Sequence, residues 1–241
     1  MLNLQKWGFA SLDLGGSGTA DDENAQNAGI GGPSDLELMH SVRAATRLDT
    51  VPPFTLLKEI MGAKGSSEFT KDVFNDALSK VISTDELGSD ALDFVAYVLS
   101  TIYYSFEGES GCPDVSELFT GLCVLLSGSE IEKLAIMYDV FDSKQSGSLS
   151  VAVVTKLVRS VVTILYAMRA ARLPPRDVEG REFIKRAVGT ATASIVDSCV
   201  DFLGEGKTEN GIAFDDFVSW YTDGGGSNAL PALGAMVNVI E

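Results

Sequence analysis

Hydrophobic residues recur three or four positions apart along much of the chain, and near its middle two such stretches flank a polar segment at 142–153. We call this segment the third loop. Apolar residues at that spacing lie on one face of an α-helix, so the pattern predicts two helices joined by a short loop. After the loop the apolar face is carried by Val154, Leu157, Val161 and Leu165.

Two similar units are predicted before the third loop. Pro52-Pro53 suits the first turn of a helix over 54–61, and a Gly/Ser-rich segment then leads to an apolar helix over 68–82. A helix from Ser89 ends in a polar segment at 106–117, the second loop, which is again followed by apolar residues. The pattern therefore repeats as helix, loop and helix.

A fourth unit is predicted near the end of the chain. A long helix over 178–202 leads to a polar segment at 205–216, the fourth loop. The helix that follows carries Trp220 and Tyr221 on its apolar side. The whole pattern predicts an all-α fold made of four helix–loop–helix units.

The third loop resembles the twelve-residue calcium-binding loop of an EF-hand. Asp142 supplies an oxygen at the first place, Gly147 takes the sixth, where φ > 0 is needed, and Leu149 takes the apolar eighth. Lys144 at the third place brings a positive charge, and Val153 stands where a bidentate glutamate belongs. The resemblance thus implies the EF-hand geometry with much of its calcium chemistry missing.

The other loops match the same motif less completely. In the fourth loop Ile212 takes the eighth place and Asp216 the twelfth, while Lys207 falls on the third and Asn210 on the sixth, where αL is required. Calcium ligation carries over from the motif only to matching positions. In the third loop these are Asp142, Ser146, Ser150 and the carbonyl of Ser148, and in the fourth Glu205, Glu209, Asp216 and the carbonyl of Ile212.

The first two loops keep less of the motif. Phe69 can hold the eighth place of a first loop that opens at Gly62, which has almost no carboxylates. In the second loop Glu117 can be the last ligand, with Pro113 at the eighth place. Both loops are therefore predicted to be degenerate.

Residues 52–222 as a whole resemble four EF-hand units of the calmodulin superfamily. The segment 118–142 is similar to the junction of the second and third hands in the neuronal calcium sensor, calcineurin B and calaxin-like branches. The resemblance implies paired hands in two lobes, short β contacts between paired loops, and an apolar groove that binds a helix. We expect that groove to use Val154, Leu157, Val161, Leu165, Trp220 and Tyr221.

The same reading divides the chain into four parts. Residues 1–33 form a flexible or docking extension, in which alternating Trp7, Phe9, Leu12 and Leu14 could dock on the main body or on a partner. The N-terminal lobe is expected over 34–128 and the C-terminal lobe over 129–222. Residues 223–241 are expected to be a Gly-rich linker and an apolar tail that folds back into a groove or fills one on a partner.

Composition narrows the function. A net charge of −16 argues against a nucleic-acid partner, and no secretory signal or membrane-spanning segment is expected. Three scattered cysteines indicate an intracellular protein, and the resemblance implies the cytoplasm, the cytoskeleton or a cilium. One histidine and the lack of catalytic motifs argue against an enzyme.

These observations leave three functional hypotheses. The first is a non-catalytic regulatory or scaffold protein that binds a protein partner, either a helix or the subunits of a larger assembly, with weak or lost calcium binding. The second is a calcium sensor that uses the third loop, the fourth loop or both. The third is a regulatory region of a larger protein. No cofactor is predicted with certainty, and Ca²⁺ is the one candidate.

Overall fold

The computed structural model describes residues 33–64, 68–82, 87–108, 110–171, 178–230 and 233. The described chain is mostly helical and has one two-stranded sheet, which confirms the all-α class. The predicted extension at 1–33 lies outside the described residues except for Pro33.

The described part of the first half forms five α-helices. A 3₁₀ turn at Leu48–Thr50 separates the first helix from the second. The helices are α1 (Pro33–Thr46), α2 (Pro53–Lys64), α3 (Lys71–Ser79), α4 (Ser89–Ser105) and α5 (Val115–Cys123).

The described part of the second half contains six helices and two strands. Their order is α6 (Glu130–Phe141), β1 (Ser148–Leu149), α7 (Val151–Ala170), α8 (Val178–Leu203), α9 (Glu205–Glu209), β2 (Ile212–Ala213), α10 (Phe214–Asp223) and α11 (Gly226–Ala229). Ser129 starts α6 with a reciprocal capping box, in which its hydroxyl accepts from the Glu132 N–H and the Glu132 carboxylate accepts from the Ser129 N–H. The sequence therefore sets this helix start locally.

The two strands join the third and fourth loops. They pair antiparallel, with Ser148 opposite Ala213 and Leu149 opposite Ile212. Leu149 and Ile212 are the residues predicted at the eighth place of their loops, and both are buried. The predicted β contact between these two loops is thus present in the expected register.

Helix α7 is the centre of the core. It packs against α1, α4 and α5 from the first half of the chain and against α6 and α8 from the second. The buried side chains form one continuous cluster from Leu38 to Leu233. The predicted lobes at 34–128 and 129–222 therefore share a core, because α7 buries its apolar residues against both.

Several predicted boundaries differ from the structure. The helix expected over 68–82 runs only from Lys71 to Ser79, since Thr70 caps its start by accepting from the Val73 N–H. The first residues of the fourth loop are wound into α9 rather than extended. Pro113, predicted at an eighth place, forms a β-bridge with Glu107 of its own loop, and none with the described residues of the first loop.

The predicted linker from 223 onward is folded where it is described. Residues 226–229 form α11, and a Cβ added at Gly226 would stand 2.7 Å from the Tyr221 Cα. Leu230 and Leu233 are buried in the core. The beginning of the apolar tail therefore packs back onto the protein, which was one of the two alternatives from sequence.

One described helix, α7, is long and apolar enough to cross a membrane, with a mean hydropathy of 1.7 in its best window. Two-thirds of that window is buried inside the protein. Its apolar character is accounted for by its place at the centre of the core.

Candidate functional site

A buried tyrosine locks the paired third and fourth loops to α6. The Tyr138 hydroxyl donates to the carbonyl of Ile212 at 2.6 Å and lies 3.4 Å from the carbonyl of Gly147. Its ring meets Phe214 edge-to-face, with centroids 5.3 Å apart. Burial, with a smaller contribution from the Asp142 charge, raises the pKa of Tyr138 to about 12, so the hydroxyl stays a donor at neutral pH.

A second buried tyrosine makes the corresponding contact in the first half. The Tyr103 hydroxyl donates to the carbonyl of Phe69 at 3.0 Å, and Phe69 is the residue predicted at the eighth place of the first loop. The Tyr103 ring packs on Phe74 at 5.4 Å. In both halves, then, a tyrosine hydroxyl donates to the carbonyl of the residue predicted at the eighth place of a loop. The tyrosine lies on the helix before the second or the third loop, and the carbonyl belongs to the first or the fourth loop.

The third loop is closed by its own hydrogen bonds. Oδ1 of Asp142 accepts from the backbone N–H of Ser146, and Oδ2 accepts from the N–H of Gly147, both at 2.8 Å. The Ser146 hydroxyl lies 2.8 Å from both Asp142 Oδ1 and the Ser148 carbonyl oxygen. Hydrogen bonds from Ser146 lower the pKa of Asp142 below its ordinary value. The donors of the loop thus already satisfy its one carboxylate.

The remaining predicted ligand of the third loop has another role. Ser150 caps α7, since its hydroxyl accepts from the Val153 N–H at 3.4 Å. Gly147 has φ +75°, as predicted for the sixth place, and Gln145 also has positive φ. Val153 is half-buried and offers no oxygen at the twelfth place.

The fourth loop carries its own cation. The Lys207 ammonium forms an ion pair with Oδ1 of Asp216, the residue predicted as its last calcium ligand. Glu205 and Glu209 are exposed at the two ends of α9. The prediction of αL at Asn210 is wrong, because Asn210 has φ −87° and the next residue, Gly211, takes φ +88°.

Two basic residues of α7 bind the last residue of the second loop, Glu117. Both carboxylate oxygens of Glu117 lie 2.6 Å from an Arg159 guanidinium nitrogen, and Lys156 adds a contact at 3.8 Å. The Glu117 side chain is only 12 % exposed. The sequence gives no local signal for this pairing, because Glu117 and Arg159 are 42 positions apart.

The described residues of these loops bring few unengaged carboxylate oxygens together. The carboxylates of Glu117, Asp142 and Asp216 are each engaged by donors or cations of the chain, and Val153 contributes no ligand. Among the described residues no three His, Cys, Asp or Glu side chains are grouped closely enough to hold a metal ion. A calcium site needs six to eight oxygens around one point, and the described loops bring no such set together.

The predicted partner-binding residues lie in the core. All six are at most 1 % exposed in this conformation, so they form no open groove. They are Val154, Leu157, Val161, Leu165, Trp220 and Tyr221. Their helical spacing reported an apolar face correctly, but the face is covered by the other helices of the same chain.

The large apolar side chains that are exposed lie elsewhere. On α2, Phe54 is 69 % and Met61 is 52 % exposed, and their separation of seven positions places them on one helix face. On α8, Phe183 is 53 % exposed. Sequence spacing alone did not distinguish these residues from the core.

Comparison with known proteins does not assign this chain to a family. No protein-family model matches the chain, and no curated protein and no solved structure matches it either. The candidate site is therefore described by its own geometry.

Proposed function

We propose that this chain is a non-catalytic scaffold or regulatory protein of EF-hand-like construction, which binds a protein partner and folds without calcium. The observation that carries the proposal is that Glu117 and Asp216, the predicted twelfth-place carboxylates, are paired with cationic side chains of the same protein. A cation fixed to the chain supplies locally the positive charge that a bound metal would supply.

The hydrogen bonds of the third loop support the same conclusion. Calcium would have to compete with three donors for the oxygens of Asp142 and would find few other oxygens nearby. The loop pairing depends instead on the β1–β2 ladder, on the buried Leu149 and Ile212, and on the Tyr138 hydroxyl. None of these contacts requires a metal.

The partner surface is best sought among exposed residues. Apolar side chains on one exposed face of a helix favour contact with an apolar helix of another protein. The α2 face that carries Phe54 and Met61 has this character and includes the exposed Lys58 between them. We therefore assign the partner contact to this face of α2 rather than to the six core residues.

Calcium titration of the full chain tests the metal-free fold. By calorimetry and circular dichroism we expect no binding below about 10 µM, the upper end of the sensor range, and no change in helicity or melting temperature. Saturable binding in that range with a gain in stability, abolished by Asp142→Ala or Asp216→Ala, would support the calcium sensor instead.

Capture of partners from a cell extract tests the scaffold role. We expect the immobilised protein to retain the same partners with and without a chelator. The double variant Phe54→Asp/Met61→Asp should lose them, whereas Tyr104→Asp, at a side chain 55 % exposed on α4, should keep them. Capture that depends on calcium would contradict the proposal, as would equal capture by both variants.

A further inference from the structure

An open groove of about 560 Å³ lies between the end of α7 and the first half of α8. Tyr166 lies on the α7 side, and Phe183, Ala187 and Ala191 are the apolar residues on the α8 side. Phe183 is 53 % exposed, although its neighbour in the groove, Tyr166, is buried. A concave apolar surface of this size is large enough to take one or two aromatic side chains.

The surroundings of this groove are basic in an acidic protein. Arg186 lines it, Lys185 is exposed next to it, and the Arg169 guanidinium lies over the Tyr166 ring at 5.8 Å. In the described segments that form the groove, 161–171 and 178–191, the sequence holds four Lys or Arg and two Asp or Glu, a balance of +2 in a chain of net charge −16. The four are Arg169, Arg181, Lys185 and Arg186, and the two are Glu179 and Glu182.

The complementary chemistry occurs in the first 32 residues of the same chain. That segment holds one lysine against four acidic residues, a balance of −3. The apolar residues of its first part include Trp7 and Phe9, and an acidic run at 21–23 follows a Gly-rich stretch. The segment thus has an apolar part that could fill the groove and an acidic part that is complementary to the basic residues around it.

The connection is long enough for this contact. Residues 15–32 can span roughly 60 Å when extended, whereas α7 is about 30 Å long at 1.5 Å per residue. Because α1 packs against α7, the first described helix lies beside the helix that forms one wall of the groove. Tethering also raises the effective concentration of the segment to about the millimolar range, so even a weak contact would be populated.

We propose that residues 7–23 of this chain bind the α7–α8 groove, with Trp7 and Phe9 against Phe183 and Tyr166 and the acidic run at 21–23 facing Arg186. The contact makes the N-terminal segment an intramolecular ligand of this groove. It does not depend on the metal-free loops or on the α2 face of the proposed function. The residues after Leu233 are a poorer match, because 234–241 contain one acidic residue and no aromatic residue.

Fluorescence of Trp7 tests the proposal in the full chain. The protein has two tryptophans and Trp220 is buried, so the difference between wild type and Trp7→Phe reports Trp7. We expect Trp7 to be protected from acrylamide quenching in the wild type. Arg186→Glu should expose it, and Arg186→Glu combined with Asp21→Lys/Asp22→Lys should restore the protection. Lys58→Glu, an equal charge change at an exposed residue on α2, should leave it unchanged.

Amide hydrogen exchange gives a second readout. Deletion of residues 2–14 should speed exchange in 183–194 by about tenfold or more, while deletion of 235–241 should leave it unchanged. Quenching of Trp7 in the wild type as in a free peptide would overturn the proposal. So would faster exchange on deletion of 235–241 alone, which would make the tail the occupant. Protection that depends on protein concentration would assign the groove to a second copy and overturn it as well.

Discussion

In each half of this protein a helix is joined to a neighbouring loop, and the two halves use partly different contacts to do so. In each half a buried tyrosine near the end of a helix donates to a carbonyl at a predicted eighth place: Tyr138 to Ile212 and Tyr103 to Phe69. In each half the tyrosine also packs on a phenylalanine ring. The tyrosine hydrogen bond is thus common to both halves.

The backbone contacts differ. In the second half the two loops form the β1–β2 ladder, in which Leu149 lies opposite Ile212. In the described part of the first half no strands join the two loops, and the bridge at Glu107 and Pro113 stays within one loop. Proline cannot donate to a ladder, so Pro113 at this position weakens pairing with a partner strand.

The first half compensates with contacts to α7. Glu117 binds Arg159, and α5 packs closely on α7 at Gly121, where an added Cβ would stand 2.9 Å from the Ile164 side chain and 3.0 Å from the Ser160 carbonyl. The comparison teaches that a loop pair which loses its ladder can be held by a helix of the other half. The two halves then depend on each other and should unfold together.

The largest expected effect comes from breaking the ladder of the second half. Ile212→Ala removes a fully buried side chain at the centre of the pairing and should lower the free energy of unfolding by about 2 to 5 kcal/mol. Urea denaturation followed by circular dichroism measures it. Ile131→Ala, at a side chain 40 % exposed, is the matched control and should cost under about 1 kcal/mol. Equal losses would mean that the ladder does not organise this half.

Close packing of α5 on α7 is the corresponding weak point of the first half. Gly121→Ala forces its Cβ to within 2.5 Å of the Phe106 ring and should cost about 1 to 3 kcal/mol by the same denaturation measurement. Gly189→Ala is the control, because a Cβ there meets nothing within 4 Å on an exposed face of α8. It should stabilise the protein by about 0.5 to 1 kcal/mol, since alanine is the better helix former. A neutral Gly121→Ala would remove the argument for close contact.

The sequence predicted the second half better than the first for a physical reason. Gly147, Leu149 and Ile212 act through local backbone geometry and loop-to-loop pairing, which fixed positions in a motif can report. Where the same positions are degenerate, as at Pro113, the motif no longer determines the contact. The pairing of Glu117 with Arg159 joins residues 42 positions apart, and no local pattern specifies it.

The accessible surface was the least predictable feature. Helical spacing correctly marked the apolar face of α7, but it could not tell whether that face meets a partner or another helix of the chain. The structure buries Leu157 and Trp220 and exposes Phe54 and Met61, all of which are apolar residues on predicted helices. Burial depends on how the helices pack together, and a period along one helix does not contain that information.

The junction between the halves offers a pH-dependent test. Lys133 of α6 is 1 % exposed and lies 3.5 Å from the carbonyl of Val124, while Arg43 of α1 donates to the carbonyls of Leu125 and Leu126. Burial, with a further contribution from Arg43, lowers the pKa of Lys133 from 10.5 to about 8. The charged form is therefore disfavoured in the folded protein.

The sign of the pH dependence follows from that shift. Between about pH 8 and 10.5 the unfolded chain binds the proton more readily, so the contribution of Lys133 makes stability rise with pH through this window. Lys133→Met should remove this slope and should stabilise the protein by about 1 to 2 kcal/mol at pH 7. Denaturation curves of the two proteins from pH 7 to pH 10.5 measure the difference. A variant less stable at pH 7 would show that the ammonium stabilises the junction.

The two tyrosine contacts permit a matched comparison. Tyr138→Phe and Tyr103→Phe each remove a single hydroxyl and should each cost about 0.5 to 1.5 kcal/mol. We expect the Tyr138 variant to lose more, because its bond to Ile212 is shorter, at 2.6 Å against 3.0 Å for Tyr103 and Phe69. Chemical denaturation of the pair in one buffer measures the order. A larger loss for Tyr103→Phe would mean that the first half depends more on its tyrosine hydrogen bond than the second half does.

The smallest effects should come from the two ion pairs, and they should differ between the halves. Glu117→Gln removes a carboxylate that is 12 % exposed and held by Arg159, so a loss of about 1 kcal/mol is expected. Lys207→Gln breaks a pair whose lysine is 56 % exposed, and solvent screening should limit the loss to a few tenths of a kcal/mol. Thermal melts in low and high salt measure both losses.

Lys207 also neutralises Asp216, so its removal should affect the response to calcium. The Lys207→Gln protein should gain slightly more stability than the wild type on adding millimolar calcium. A gain equal to that of the wild type would mean that Lys207 does not exclude the ion.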